Sequence, residues 1–259
     1  MRADQICSGR TEATIVPERG GLVTRFAVSG REILFLDRAS FEDREQPVRG
    51  GIPVLFPFAG RLADNLLLAA GTSLGLHGFA RDLEWTVTGH EGDRHRMELE
   101  PGPEVLEAYP FPHRLTQTTS VAEGELSLCL EIENRSPRPL PVAPGWHPYF
   151  RCPRESKAAV RYGMADFPRQ QLGDSYDFGL EAPPEGRIGF DIPGEGAVSM
   201  SFSPEFRHLQ FWTLPERGFI CVEPWDGPPG VINSGRCRLV PPGGTLVYRM
   251  QIAPAEGNP

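Results

Sequence analysis

Glycine and proline punctuate this chain so densely that no stretch longer than residues 31–46 is free of both. Glycine weakens a helix interior and proline breaks it, so long helices have almost nowhere to sit. Short strands fit between the breaks. In 126–134, Leu126, Leu128, Leu130 and Ile132 alternate with Ser127, Cys129, Glu131 and Glu133. In 246–252, Leu246, Tyr248, Met250 and Ile252 alternate with Val247, Arg249 and Gln251. A period of two marks a sheet with two different faces. Similar segments are read at 13–16, 22–28, 84–88, 96–99, 207–212 and 219–222. Together they predict an all-β chain, a large antiparallel β-sandwich. No composition shift marks a linker and no repeat is evident, so 1–259 reads as one domain, a size all-β folds reach undivided.

Charge narrows the partners. The net charge of -8 gives a surface that repels phosphate backbones and anionic lipid heads, which argues against nucleic acid and membrane. A small phosphorylated ligand held by a few local arginines stays open. The first twelve residues have no apolar signal-peptide core, and no run approaches the roughly 18 apolar residues of a membrane helix. The richest apolar run, 52–59, is broken by two prolines. The 5 cysteines are scattered without a CxxC pair, which argues against a disulfide scaffold or a cysteine zinc site. This pattern fits a reducing cytosol, and a cytoplasmic protein is expected.

Four polar positions stand out against apolar surroundings. Arg61 follows the turn-rich apolar run GGIPVLFPFAG and offers a planar fork of donors for hydroxyls or a carboxylate. A solvated turn arginine is the plainer reading. His77, in LHGFAR, precedes a glycine that permits unusual backbone geometry, and it reads either as a site residue or as a histidine satisfied by a backbone carbonyl. His147 lies among aromatics in PGWHPYF, and Pro148 biases it towards an extended conformation, so it should project from a strand end. Trp146 beside it either packs on a sugar ring or fills core. Glu223 shares a strand face with Phe219 and Cys221 and ends an apolar row. A carboxylate there is either paired or raised in pKa, as at functional sites, or it is a rim residue of an edge strand.

Taken together, the motifs resemble the aldose 1-epimerase (galactose mutarotase-like) superfamily. The matching stretches are GGIPVLFPFAGR at 50–61, LHGFAR at 76–81, YPFPHRL at 109–115, GWHPYF at 145–150 and CVEPWDGPP at 221–229. They fall in the family's order across most of the chain. The resemblance implies a supersandwich with an open sugar cleft on a concave face. It also implies an isomerase acting on a free aldose such as galactose or glucose without cofactor or metal. By position, Glu223 matches the family's general base, His147 its general acid, and Arg61 and His77 its substrate-orienting pair. The family's sugar-contacting aspartate falls in DSYDF at 174–178, with Asp177 the choice. Arg81 joins the substrate-binding set, and Arg49 and Arg81 are the candidates for a phosphate if the substrate is a hexose 6-phosphate. His113 and Arg114 line the cleft or lie on the surface.

Two other classes compete. His77, His147 and Glu223 have the residue types of a 2-His-1-carboxylate metal triad in a cupin-like barrel, although the HxH pair frequent there is missing. A carbohydrate-binding module would use aromatic platforms and need no paired acid and base.

Overall fold

The computed structural model describes residues 1–164, 167–168 and 173–255. The strands predicted from alternation form, and they pair antiparallel. The largest sheet has eight strands, in the spatial order Arg161–Tyr162, Arg187–Ile192, Gly196–Phe202, Thr245–Pro254, Glu125–Asn134, His113–Ala122, Arg94–Leu99 and Thr86–His90. Glu125–Asn134 runs between His113–Ala122 and Thr245–Pro254, pairing Leu128 with Met250 and Thr119. Its alternation is the one read from sequence: Leu126, Leu128, Leu130 and Ile132 are buried, and the residues between them are partly exposed. Each such side chain contributes about 1.5–3 kcal/mol by leaving water, which fixes the register, because a one-residue slip would turn the whole row outward.

A second sheet lines up Tyr176–Glu181, His208–Thr213, Phe219–Trp225, Gly145–Trp146 and Val54–Leu55, with Tyr149–Arg151 also paired to Phe219–Trp225. A third joins Asp4–Ser8, Thr11–Val16, Leu22–Val28 and Arg31–Glu32. The three share one apolar core that includes Leu128, Met250, Phe211, Val222, Phe26 and Ile15. Across it, Phe150 meets Phe190 with ring centroids 4.8 Å apart, and Phe206 meets Tyr248 at 4.9 Å. The result is a large antiparallel β-sandwich, and no helix among the described residues exceeds the six residues of Pro103–Ala108 or Arg154–Ala159. None is long and apolar enough to cross a membrane. All five cysteines are free.

Two sequence expectations need correction, and the open choice at Trp146 is decided. The segment 84–88 starts later, as Thr86–His90, because the Trp85 side chain turns inward and its indole N–H donates to the Ala80 carbonyl at 3.0 Å. The segment 219–222 runs on to Trp225, through Pro224, so Glu223 lies inside a strand rather than at its end. Proline gives up one ladder donor but keeps an extended backbone, and here it sits opposite Leu209. Trp146 is core, fully buried, with its indole N–H donating to Gln117 Oε1 at 3.1 Å.

His113 and Arg114 do not line the cleft either. Arg114 pairs along the sheet with Glu133 at 2.8 Å and Glu98 at 3.6 Å. His113 is buried among Phe56, Phe79 and Tyr109, and its Nδ1–H donates to the Phe111 carbonyl at 2.7 Å. Its Nε2 is buried without a partner, and burial pushes the imidazole pKa down to about 4. The native state therefore binds fewer protons than the unfolded chain between about 4 and the ordinary value of 6.5. Stability present above that ordinary value is lost as pH falls through the window, by up to ~3 kcal/mol from this group. Urea midpoints measured at about pH 7 and about pH 4.5 should fall less in a His113→Phe variant than in the wild type.

Candidate active site

The strand Phe219–Trp225 is buried on both faces. Ile220 and Val222 join the main core, whereas Phe219 and Cys221 pack with Tyr149 on the opposite face, and Glu223 continues that second row. His147 sits between the strands Gly145–Trp146 and Tyr149–Arg151, as the proline after it favours, with its backbone N–H on the Pro53 carbonyl at 3.1 Å. Gly145 permits this approach, since a Cβ there would lie 2.6 Å from the Trp225 ring. The His147 ring stacks on Tyr149, with centroids 4.6 Å apart and planes 7° from parallel.

His77 is held by a reciprocal pair with Gly60. Its backbone N–H donates to the Gly60 carbonyl, and the Gly60 N–H donates to its Nδ1, both at 2.9 Å. The backbone is left-handed at His77 (φ 67) and Gly78 (φ 70), and a Cβ on Gly78 would come 2.2 Å from the Phe56 carbonyl oxygen. Only glycine fits at 78, which is the physical content of the His-Gly pair. Because Nδ1 accepts, the neutral ring carries its proton on Nε2 and presents a donor there. The ring stands edge-on to Trp225 at 5.8 Å and to His147 at 5.5 Å.

All six residues singled out for the site, Arg61, His77, Arg81, His147, Asp177 and Glu223, line one cleft of about 390 Å³. At its floor, Glu223 is 1% exposed; its Oε2 accepts from the Trp225 indole at 3.1 Å and its Oε1 lies 3.4 Å from His147 Nδ1. Burial pushes the Glu223 carboxyl well above the usual carboxylate range; the Trp225 bond and Arg81 oppose that, and Asp177 adds to it. Burial likewise pushes His147 well below the usual imidazole range, with Arg81 and Arg49 acting in the same direction. His77 is lowered for the same reason, with His147 the next contributor. Each member of the Glu223–His147 pair thus resists the charge it would need to carry alone, and the low dielectric makes the proton between them costly to misplace.

Arg81 is held by the Leu76 carbonyl at 3.1 Å, and its buried Nε lies 3.8 Å from Asp82 Oδ2 without a hydrogen bond. Arg61 is exposed at the rim, 3.4 Å from Asn65 Oδ1. Asp177 is exposed, and its Oδ1 accepts from Gln210 Nε2 at 2.5 Å. Gln210 Oε1 in turn lies 2.9 Å from His208 Nε2. Gln210 and Trp212 escaped the sequence reading, as did Tyr149 as a wall of the cleft; Arg49, weighed there only for a phosphate, lies 5.1 Å over the Trp212 ring. The signal for Gln210 was present, since 208, 210 and 212 share a strand face, but its register opposite Glu223 is a tertiary fact.

The proposed metal triad does not assemble. His77 Nδ1 is taken by Gly60, and among the described residues the three side chains close enough to share an ion are His147, Cys221 and Glu223. The antiparallel sandwich also replaces the cupin barrel that reading required.

The family model of aldose 1-epimerase matches residues 5–251. An Escherichia coli K12 protein named "Putative glucose-6-phosphate 1-epimerase" is 28% identical over 139 residues, 52% of this chain and 43% of that protein, so the chain spans under half the length of that relative. The uncharacterized protein YphB of the same organism is 24% identical over 244 residues, 79% of each chain. Among solved structures, the Slr1438 protein of Synechocystis sp. PCC 6803 superposes with a TM-score of 0.89 at 30% identity, covering 97% of this chain and 95% of that one. A galactose mutarotase-like protein from Lactobacillus casei shares the fold with a TM-score of 0.78 at 20% identity, covering 97% and 99%. A match that runs through every strand framing the cleft identifies this chain as a member of the aldose 1-epimerase family.

Proposed function

We propose that this protein is a mutarotase that interconverts the α and β anomers of an aldose, with Glu223 and His147 as its proton-transfer pair. One observation carries the reading: a buried carboxylate and a buried imidazole face each other 3.4 Å apart at the floor of a polar cleft. Mutarotation takes one proton from the anomeric hydroxyl and delivers one to the ring oxygen. The C1–O5 bond breaks, the aldehyde turns about C1–C2, and the ring closes on its other face. On ring opening the ionised form of the pair reacts: the Glu223 carboxylate accepts the first proton and the His147 imidazolium supplies the second, leaving the neutral pair that burial favours, and ring closure reverses both transfers. Their opposed pKa shifts favour holding one proton between them, the count this exchange needs. Arg81 steadies the carboxylate, and the Nε2–H of His77, with Arg61 and Asp177, orients the sugar hydroxyls.

A free hexose such as galactose or glucose is the first reading of the substrate. A hexose 6-phosphate is the second, favoured by the three arginines Arg49, Arg61 and Arg81 around one cleft. Initial anomerisation rates on freshly dissolved α-glucose and α-glucose 6-phosphate, followed side by side by polarimetry, decide between them. The first reading expects the higher kcat/KM on the free sugar. A preference for the phosphate that an Arg81→Lys change reduces selectively supports the second. No acceleration of either sugar, or of galactose, would count against the whole reading.

A further inference from the structure

Glu223 and His147 of the cleft share a ligand set with a buried thiol that sugar chemistry does not use. Cys221 lies two residues before Glu223 on the same strand face, paired in register with Tyr149. The potential ligand atoms of His147, Cys221 and Glu223 all lie within 4.8 Å of one another, and all three residues are buried. His147 Nδ1 is buried without a hydrogen-bond partner, 3.4 Å from Glu223 Oε1.

We propose that His147, Cys221 and Glu223 form a site for a soft divalent cation, Zn2+ in the first instance, whose binding blocks the cleft. An imidazole, a thiolate and a carboxylate are the donors zinc prefers among divalent ions of its size. Tetrahedral zinc sets its ligands roughly 3.5 Å apart, so side-chain rotations of about 1 Å close the set. Three protein ligands would leave the fourth position of a tetrahedral ion to water or a sugar hydroxyl. The Cys221 thiol and the Glu223–His147 pair each release one proton to solvent as the metal–ligand bonds form, and no redox step is involved. A bound ion occupies both proton-transfer groups at once, so inhibition follows if the mutarotase reading holds, while the binding itself does not depend on that reading. The triad that includes His77 would have made a catalytic metal; this set makes an inhibitory one.

Cobalt reports on the site directly. Co2+ added to full-length, chelator-treated protein should give the visible bands of a tetrahedral ion together with a thiolate-to-cobalt charge-transfer band in the near ultraviolet, and one equivalent of Zn2+ should bleach both. Cys221→Ala should remove the charge-transfer band and weaken Zn2+ at least tenfold. It should leave the near-ultraviolet dichroism of the protein in chelator unchanged, since alanine keeps an apolar side chain in the cluster with Phe219 and Tyr149. A Cys7→Ser variant, which removes the exposed thiol, should keep the band. The absence of the band in the wild type, or its survival in Cys221→Ala, would overturn the proposal. If the metal binds as described and anomerase activity is absent from the start, the site stands and the mutarotase reading fails.

Discussion

Glu223→Gln should lower kcat for anomer exchange by about 10²–10⁴-fold and leave KM within a few-fold, the loss expected for a positioned general base. In free energy this is about 3–5 kcal/mol of transition-state stabilisation. The amide has the same shape and its oxygen can still accept the Trp225 indole N–H that now bonds Glu223 Oε2 at 3.1 Å. The protein should therefore fold, and the effect should fall on chemistry. Stability carries its own signature. Burial raises the Glu223 carboxyl in the folded state, so the native protein holds a proton that the unfolded chain gives up above the ordinary value of 4.5. That contribution is complete below the ordinary value and is lost as pH rises towards the folded pKa. Removing the group should flatten the alkaline side of the stability curve. Exchange rates by polarimetry, with thermal melts across pH, check both halves. A rise in KM at unchanged kcat would instead assign Glu223 to binding alone.

The largest effect on stability is expected at Asp226, three residues further along. Its carboxylate is fully buried and accepts from Arg238 Nε at 2.5 Å, Arg207 at 2.8 Å and the Tyr248 hydroxyl at 2.7 Å. This network ties the end of the 219–225 strand to the central strand Thr245–Pro254 of the large sheet. Truncation to alanine leaves the Tyr248 hydroxyl buried without its acceptor. The two guanidinium groups lose less, being 49% and 32% exposed and free to hydrate. Asp226→Ala should therefore cost about 2–4 kcal/mol, below the full cost of stranding a buried charge. Urea unfolding with an unchanged m-value checks it. Asp226 does not line the cleft, so kcat below the melting transition should stay within a few-fold.

The strands were legible because a two-residue period survives in any isolated segment: Leu126 to Ile132 faces the core in the way its alternation requires. The strand ends were not, because tertiary contacts set them. Trp85 leaves its strand to reach the Ala80 carbonyl, and Glu223 is drawn into one by pairing with Gln210. In the cleft, the residues the family motifs pointed to lie together. Gln210 and Trp212 have no local mark and enter through the register of His208–Thr213 against Phe219–Trp225. His113 illustrates the converse case. A histidine beside an arginine in a motif looks chemical, and only three-dimensional packing reveals it to be enclosed by Phe56, Phe79 and Tyr109.

Glu223 and His147 are proposed to exchange protons with a sugar rather than merely hold it. Magnetisation-exchange NMR at the anomeric protons of equilibrated glucose and galactose, and of glucose 6-phosphate, tests this at equilibrium with the wild-type protein. The account predicts α–β exchange cross-peaks on at least one of these sugars, growing in proportion to enzyme concentration and far above the buffer rate. Line broadening or saturation transfer that proves a sugar is bound, with exchange no faster than in buffer, would make the cleft a binding site and contradict the account.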